Sequence, residues 1–146
     1  MRNLCLFVAV VFLLAGCAGK KEIVKKGEIS RDIESQAFQK DYIESIGIGA
    51  ADQTLENKTQ RMATSRNAAI VMAQYEMLSM IKGLKLEGGI TVEKAMETDS
   101  VIATKIDAEI KGAEIVRTQW TNDDGCVVTL RLPKKRLKAM GLKLID

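Results

Sequence analysis

The sequence predicts a single α+β domain with helices packed on one face of a mainly antiparallel sheet. Three observations predict it. Residues 57–82 carry apolar side chains at helical spacing over about seven turns. Residues 113–121 and 126–132 are two β-prone runs on either side of Asn122-Asp123-Asp124-Gly125, the signature of a hairpin. Residues 42–49, ahead of the long helix, read as a strand. The resulting order is strand, long helix, strand, helix, hairpin, short helix, and a chain of this kind stacks its helices against the sheet. The domain spans residues 32–146 and contains no internal repeat.

The chain opens on a different pattern. Arg2 places a positive charge at the start, residues 4–14 are almost wholly apolar, and small residues follow at Ala15 and Gly16. That is the order of a secretory signal. The apolar run is shorter than the roughly 20 residues needed to cross a bilayer. It ends in Leu14-Ala15-Gly16-Cys17, which resembles a bacterial lipobox. The resemblance implies that Cys17 is lipidated on its thiol, that residues 1–16 are removed as a signal peptide, and that Cys17 becomes the first residue of the mature protein. Residues 17–31 then form the lipidated cysteine and a charged tether, with Lys20, Lys21, Glu22, Lys25, Lys26 and Glu28 interspersed with Gly19 and Gly27. The simplest reading of those charges is a solvated linker; contact with anionic lipid headgroups is the alternative.

The remaining elements follow in order. Residues 30–40 are weakly helical, with Ile33, Ala37 and Phe38 near helical spacing. In the strand over 42–49, Tyr42, Glu44, Ile46 and Ile48 share one face, and Gly47 and Gly49 leave room for a helix or backbone to approach closely. A loop over 50–56 leads to the long helix, capped by Asn57 with Thr54 as competitor. Met62, Ala69, Ala73, Met77, Met80 and Leu84 form its stripe, widened by Ile70, Tyr75, Leu78 and Ile81. Gly83 is its stop. Residues 84–87 read as the start of a strand whose alternation continues over 90–92, with Gly88-Gly89 as a bulge or a turn. Residues 97–111 read as a second helix, with Val101, Ile102, Ile106 and Ile110 recurring about every fourth position. Pro133 opens a last short helix over 134–140 as its first residue.

Composition excludes several functions. There are 22 basic against 19 acidic side chains, and removal of Arg2 leaves too small an excess to imply a nucleic-acid partner. The chain has no His, the commonest general base and metal ligand. Of three cysteines, Cys5 lies in the signal and Cys17 is the lipid site, so Cys126 has no disulfide partner in the mature chain. It reads as a small buried hydrophobe. Met62, Met72, Met77 and Met80 read as core rather than a soft-metal stripe, because no Cys or His accompanies them. Asp123-Asp124 is explained by the turn without a bound cation. No phosphate loop, Cys-x-x-Cys, zinc helix or nucleophile elbow is present. No catalytic residue, metal or cofactor is expected. The basic cluster Lys134, Lys135, Arg136 and Lys138 reads as the solvated face of the last helix and as a candidate oligomer contact, with Glu93, Glu97 and Asp99 of a neighbouring copy as acidic counterparts. The strand over 42–49 is the least charge-guarded edge for a neighbour to extend.

Several stretches together resemble the LPP-twenty family of bacterial outer-membrane lipoproteins, and within it the flagellar basal-disk members. They are the lipobox; Ile46-Gly47-Ile48-Gly49-Ala50; the alanine-rich helix running through Leu78 and Ile81 into Lys82-Gly83-Leu84-Lys85-Leu86; Ile110-Lys111-Gly112-Ala113-Glu114-Ile115-Val116; and Val127-Val128-Thr129-Leu130 with Leu132-Pro133. The similarity covers roughly residues 42–133. It implies a non-enzymatic lipoprotein anchored in membrane lipid through Cys17. Ala18 in place of Asp after the cysteine implies the outer membrane, facing the periplasm. It further implies a homo-oligomeric structural component of the envelope, contacting flagellar or other envelope proteins and needed for motility. A lipid-anchored binding module for peptidoglycan, lipid or a host surface is the competing class.

Overall fold

A computed structural model describes residues 41–145. The signal, the tether and the short helix over 30–40 expected from the sequence lie outside the described residues. The remainder forms β1 (Tyr42–Gly49), α1 (Lys58–Lys82), α2 (Val92–Thr98), α3 (Ser100–Lys111), β2 (Glu114–Trp120), β3 (Cys126–Pro133) and α4 (Lys134–Ala139). The three strands make one antiparallel sheet in the order β1-β3-β2, so the last strand is the central one. The α+β architecture with helices against the sheet is as the sequence predicts.

The inner face of the sheet carries Ile43, Ser45, Gly47 and Gly49 of β1 opposite Leu132, Leu130, Val128 and Cys126 of β3. Here α1 lies directly on β1, and the contact is small against small. A Cβ at Gly47 would sit well inside 3.0 Å of Ala69 O and Ala73 N, and one at Gly49 would do the same to Ser65 O. These glycines therefore provide the close approach that their spacing predicts. Ser45 Oγ donates to Ala73 O at 2.8 Å across the same seam. The buried line of α1 is Ser65, Ala69, Ala73, Met77 and Ile81, a strict four-residue repeat. This corrects the predicted stripe. Met62, Met80 and Leu84 are only partly buried, Tyr75 is exposed, and Ser65 joins the core line. The cause is the glycine seam, which draws the narrowest side of the helix onto the strand.

At its start, α1 is capped by Asn57, whose Oδ1 accepts from Thr59 N at 2.8 Å and Gln60 N at 3.3 Å. The competitor Thr54 is occupied by Asp52 Oδ1, to which its amide and hydroxyl both donate. Gly83 does follow the helix, but at φ −73° it does not use the left-handed freedom of glycine.

Two expectations downstream are corrected. Residues 84–92 are not a strand of the sheet. Gly88 and Gly89 sit at φ 96° and 82° and turn the chain back, so that Lys85 bridges Thr91 and Leu86 bridges Leu144 near the C-terminus. The helical region begins at Val92, not residue 97, with Thr91 as cap, and is broken in two at Asp99. Asp99 has extended backbone, ends α2, and accepts from Val101 N at 2.8 Å to start α3. Ile106 and Ile110 are the buried positions of α3, as their spacing predicts, whereas Val101 is exposed. Pro133 is the final residue of β3 and the residue preceding α4, one place earlier than expected.

The core cluster joins Met77 and Ile81 to Val128, Leu130, Leu132, Ile106, Ile110 and Leu137, with Trp120 packed against it. Burying each such aliphatic side chain contributes about 1.5–3 kcal/mol.

Candidate functional site

The predicted signal residues Leu14, Ala15 and Gly16 and the lipid site Cys17 lie outside the described residues. Cys126 is buried on the inner face, and burial pushes its thiol up against a smaller opposing pull from the Arg66 charge. It is therefore a protonated, packed thiol at neutral pH and not an activated nucleophile. Among the described residues no three His, Cys, Asp or Glu side chains cluster in a way that could hold a metal ion. None of their helices is long and apolar enough to cross a membrane.

The basic cluster divides in two. Arg136 is drawn inward, donating to Gly112 O at 2.9 Å and pairing with Glu109. Lys134, Lys135 and Lys138 remain together and, with Asp41, line an open depression of about 310 Å³. Lys134 N donates to Asp41 O at 2.9 Å, so this basic rim lies where the N-terminal part of the chain joins the domain. The acidic positions expected to meet it from another copy have partners within the chain. Glu93 faces Lys82 at 3.8 Å, Glu97 pairs with Lys94 at 2.9 Å, and Asp99 is spent on its cap.

Sequence reasoning missed two features. The first is a polar knot under the hairpin turn. Asp124, at φ 64°, turns its carboxylate toward Arg61 at 3.0 Å and Lys58 at 3.4 Å. Arg61 also donates to Leu55 O and Glu56 O, and Ser65 Oγ donates to Asp124 O at 2.7 Å. Burial works against ionisation of Asp124, but the Arg61 hydrogen bonds and the Lys58 charge outweigh it and hold its carboxyl below the usual range. The knot clamps the β2–β3 turn to the first turns of α1. It was illegible because the turn motif alone accounts for Asp124.

The second is an apolar stripe on the outward side of α1. Val71, Met72 and Tyr75 are 64%, 48% and 66% exposed. They fall at i, i+1 and i+4, one face of the helix. Glu76, one turn from Met72 at the side of this stripe, is the only charged residue between Arg66 and Lys82. The stripe's signal was present in the sequence as the excess width of the apolar pattern. At one end, Tyr75 joins Leu78, Ser79, Lys82 and Glu93 around a second open depression of about 190 Å³. The sheet adds a third surface, the β1 edge, whose one charged residue, Glu44, is held by Arg131 at 2.8 Å.

No family model, curated protein or solved structure matches the chain.

Proposed function

We propose that the protein is a non-catalytic lipoprotein of the outer membrane that acts by self-assembly, as a structural component of the envelope of the kind found in the flagellar basal disk. The lipobox-like Leu14-Ala15-Gly16-Cys17 supports the anchor, and the family resemblance supplies the disk. The observation that carries assembly is the uncharged, exposed stripe Val71, Met72 and Tyr75 on a helix whose opposite side is already committed to the core. An apolar patch of this kind on a well-packed domain marks a contact surface. Anchoring confines copies to one membrane face and raises their effective concentration, so a weak contact suffices. An uncharged stripe needs no complementary charge and meets another copy of itself or the neighbouring β1 edge. The three clustered lysines adjoin Asp41, the first described residue ahead of β1.

Loss of the gene should abolish motility, and a Tyr75→Asp variant should be exported and anchored normally but fail to restore it. Full motility with Tyr75→Asp or Val71→Asp refutes the stripe as an assembly surface. Full motility without the gene removes the flagellar role and favours the binding-module class.

A further inference from the structure

The outward side of α1 carries a longer pattern than its exposed apolar centre. Thr64, Ala68, Val71, Tyr75, Leu78 and Lys82 recur at alternating spacings of four and three residues, the period of a seam between paired helices. The inner side of the same helix keeps a strict four-residue repeat from Ser65 to Ile81, so the two patterns are distinct. Val71 and Tyr75, at the centre, are the most open positions; Thr64 and Ala68 are exposed, and Leu78 and Lys82 are half-buried. The seam carries no charge from Thr64 to Leu78. Its order is also symmetric. Thr64 and Lys82, Ala68 and Leu78, and Val71 and Tyr75 are each equidistant from residue 73.

We propose that α1 pairs with α1 of a second copy, antiparallel and about a two-fold axis at residue 73; the inference rests on the self-assembly reading above and gives it a geometry. Antiparallel alignment sets Val71 against Tyr75 of the second copy, Ala68 against Leu78, and Thr64 against Lys82. Each apolar layer then matches a smaller side chain with a larger one, as interdigitating positions require. At the seam's end, Thr64 Oγ1 donates to Gln60 O within its own helix and keeps a lone pair for the Lys82 ammonium. Lys82 keeps Glu93 of its own copy at 3.8 Å. Parallel alignment would instead set Lys82 against Lys82 and Tyr75 against Tyr75, a like-charge contact at one end and excess bulk at the centre. The same residues lie on both sides of the axis, so the contact closes on two copies, and the assembling unit is a pair. A seam about 27 Å long and about 10 Å wide buries only about 300 Å² per copy. That is well below the roughly 800 Å² per partner of a standard interface, so the pair depends on confinement of anchored copies to one membrane face.

The test is disulfide trapping of the full chain in intact cells, with Thr64→Cys and Lys82→Cys carried on two differently tagged copies and the parent chain as background. Cys126 is fully buried and offers no competing thiol. Along α1 the two positions are about 27 Å apart, far beyond the roughly 7 Å that a disulfide allows between Cα atoms. Antiparallel pairing predicts a species of doubled mass that carries both tags, disappears on reduction, and is missing when either variant is expressed alone. Cross-linking of each variant with itself and not with the other would show parallel pairing and overturn the proposal. No cross-link from variants that sediment as multimers would also overturn it, while leaving self-assembly through another contact. A parent chain that sediments as a monomer from the same membranes would remove the self-assembly reading and this inference with it.

Discussion

Gly47 determines how closely α1 approaches the sheet. Its absent side chain is matched by backbone atoms of Ala69 and Ala73, which cannot swing aside as a flexible side chain would. Gly47→Ala should therefore destabilise the fold by about 1–3 kcal/mol, the usual cost of overpacking a tight contact. Gly83→Ala is the control: a Cβ there meets nothing closer than 3.6 Å, at an ordinary α-helical φ. It should be neutral or stabilising by up to about 1 kcal/mol, through the unfolded chain. Urea denaturation of both variants checks the contrast. Asp124 gives a pH-dependent prediction. Its carboxyl is held below the usual range in the folded state by Arg61 and Lys58, so its stabilising effect is present above the unfolded value of about 3.9 and is lost as pH falls through the folded one. Asp123 and Asp52 are lowered too, chiefly by hydrogen bonds from Thr121 and Thr54. Melting temperature should thus be level near neutrality and fall below about pH 4. Asp124→Asn keeps a residue that tolerates positive φ, and should lower the plateau and flatten the acid decline.

At the scale of elements, the two sides of α1 predict opposite outcomes. Ile81 is fully buried against the sheet, and Ile81→Ala should cost about 2–5 kcal/mol. Tyr75, on the outward side of the same helix, is exposed, and Tyr75→Ala should stay within about 0.5 kcal/mol. Chemical denaturation midpoints of the two variants distinguish this placement from one in which the whole width of the apolar pattern is core. The long helix, β1 and the hairpin were legible because each repeats its own period for several residues and ends on a strong signal: Asn57 at one, the Asn-Asp-Asp-Gly turn at another. The segment over 84–92 was not. Its alternation is that of a strand, but two successive glycines at positive φ fold it onto itself before it reaches the sheet. The break at Asp99 was hidden for a related reason. Asp is unremarkable within a helical pattern, and its double duty as the end of α2 and cap of α3 depends on one backbone conformation. Of the surfaces that bear on function, the lysines were visible as a charge cluster, but the diversion of Arg136 to Glu109 and Gly112 is a tertiary effect that spacing along one helix cannot express.

For the whole molecule, anchoring and assembly make separable predictions. Cys17→Ser should leave uncleaved precursor or free periplasmic protein, read by membrane fractionation; normal outer-membrane recovery would contradict the anchor. An anchor of two or more chains holds stably, whereas one chain holds only reversibly. Assembly through the α1 stripe should persist in high salt, because screening weakens contacts between charges and leaves apolar ones intact. The most direct test of the central claim is the mass of the full chain, extracted in mild detergent at envelope-like concentration, measured beside Val71→Asp and Tyr75→Asp by sedimentation. Self-assembly through this face predicts a multimer for the parent chain at low and high salt, and monomers of unchanged melting temperature for both variants. A monomeric parent chain, or multimers indifferent to both substitutions, would contradict it.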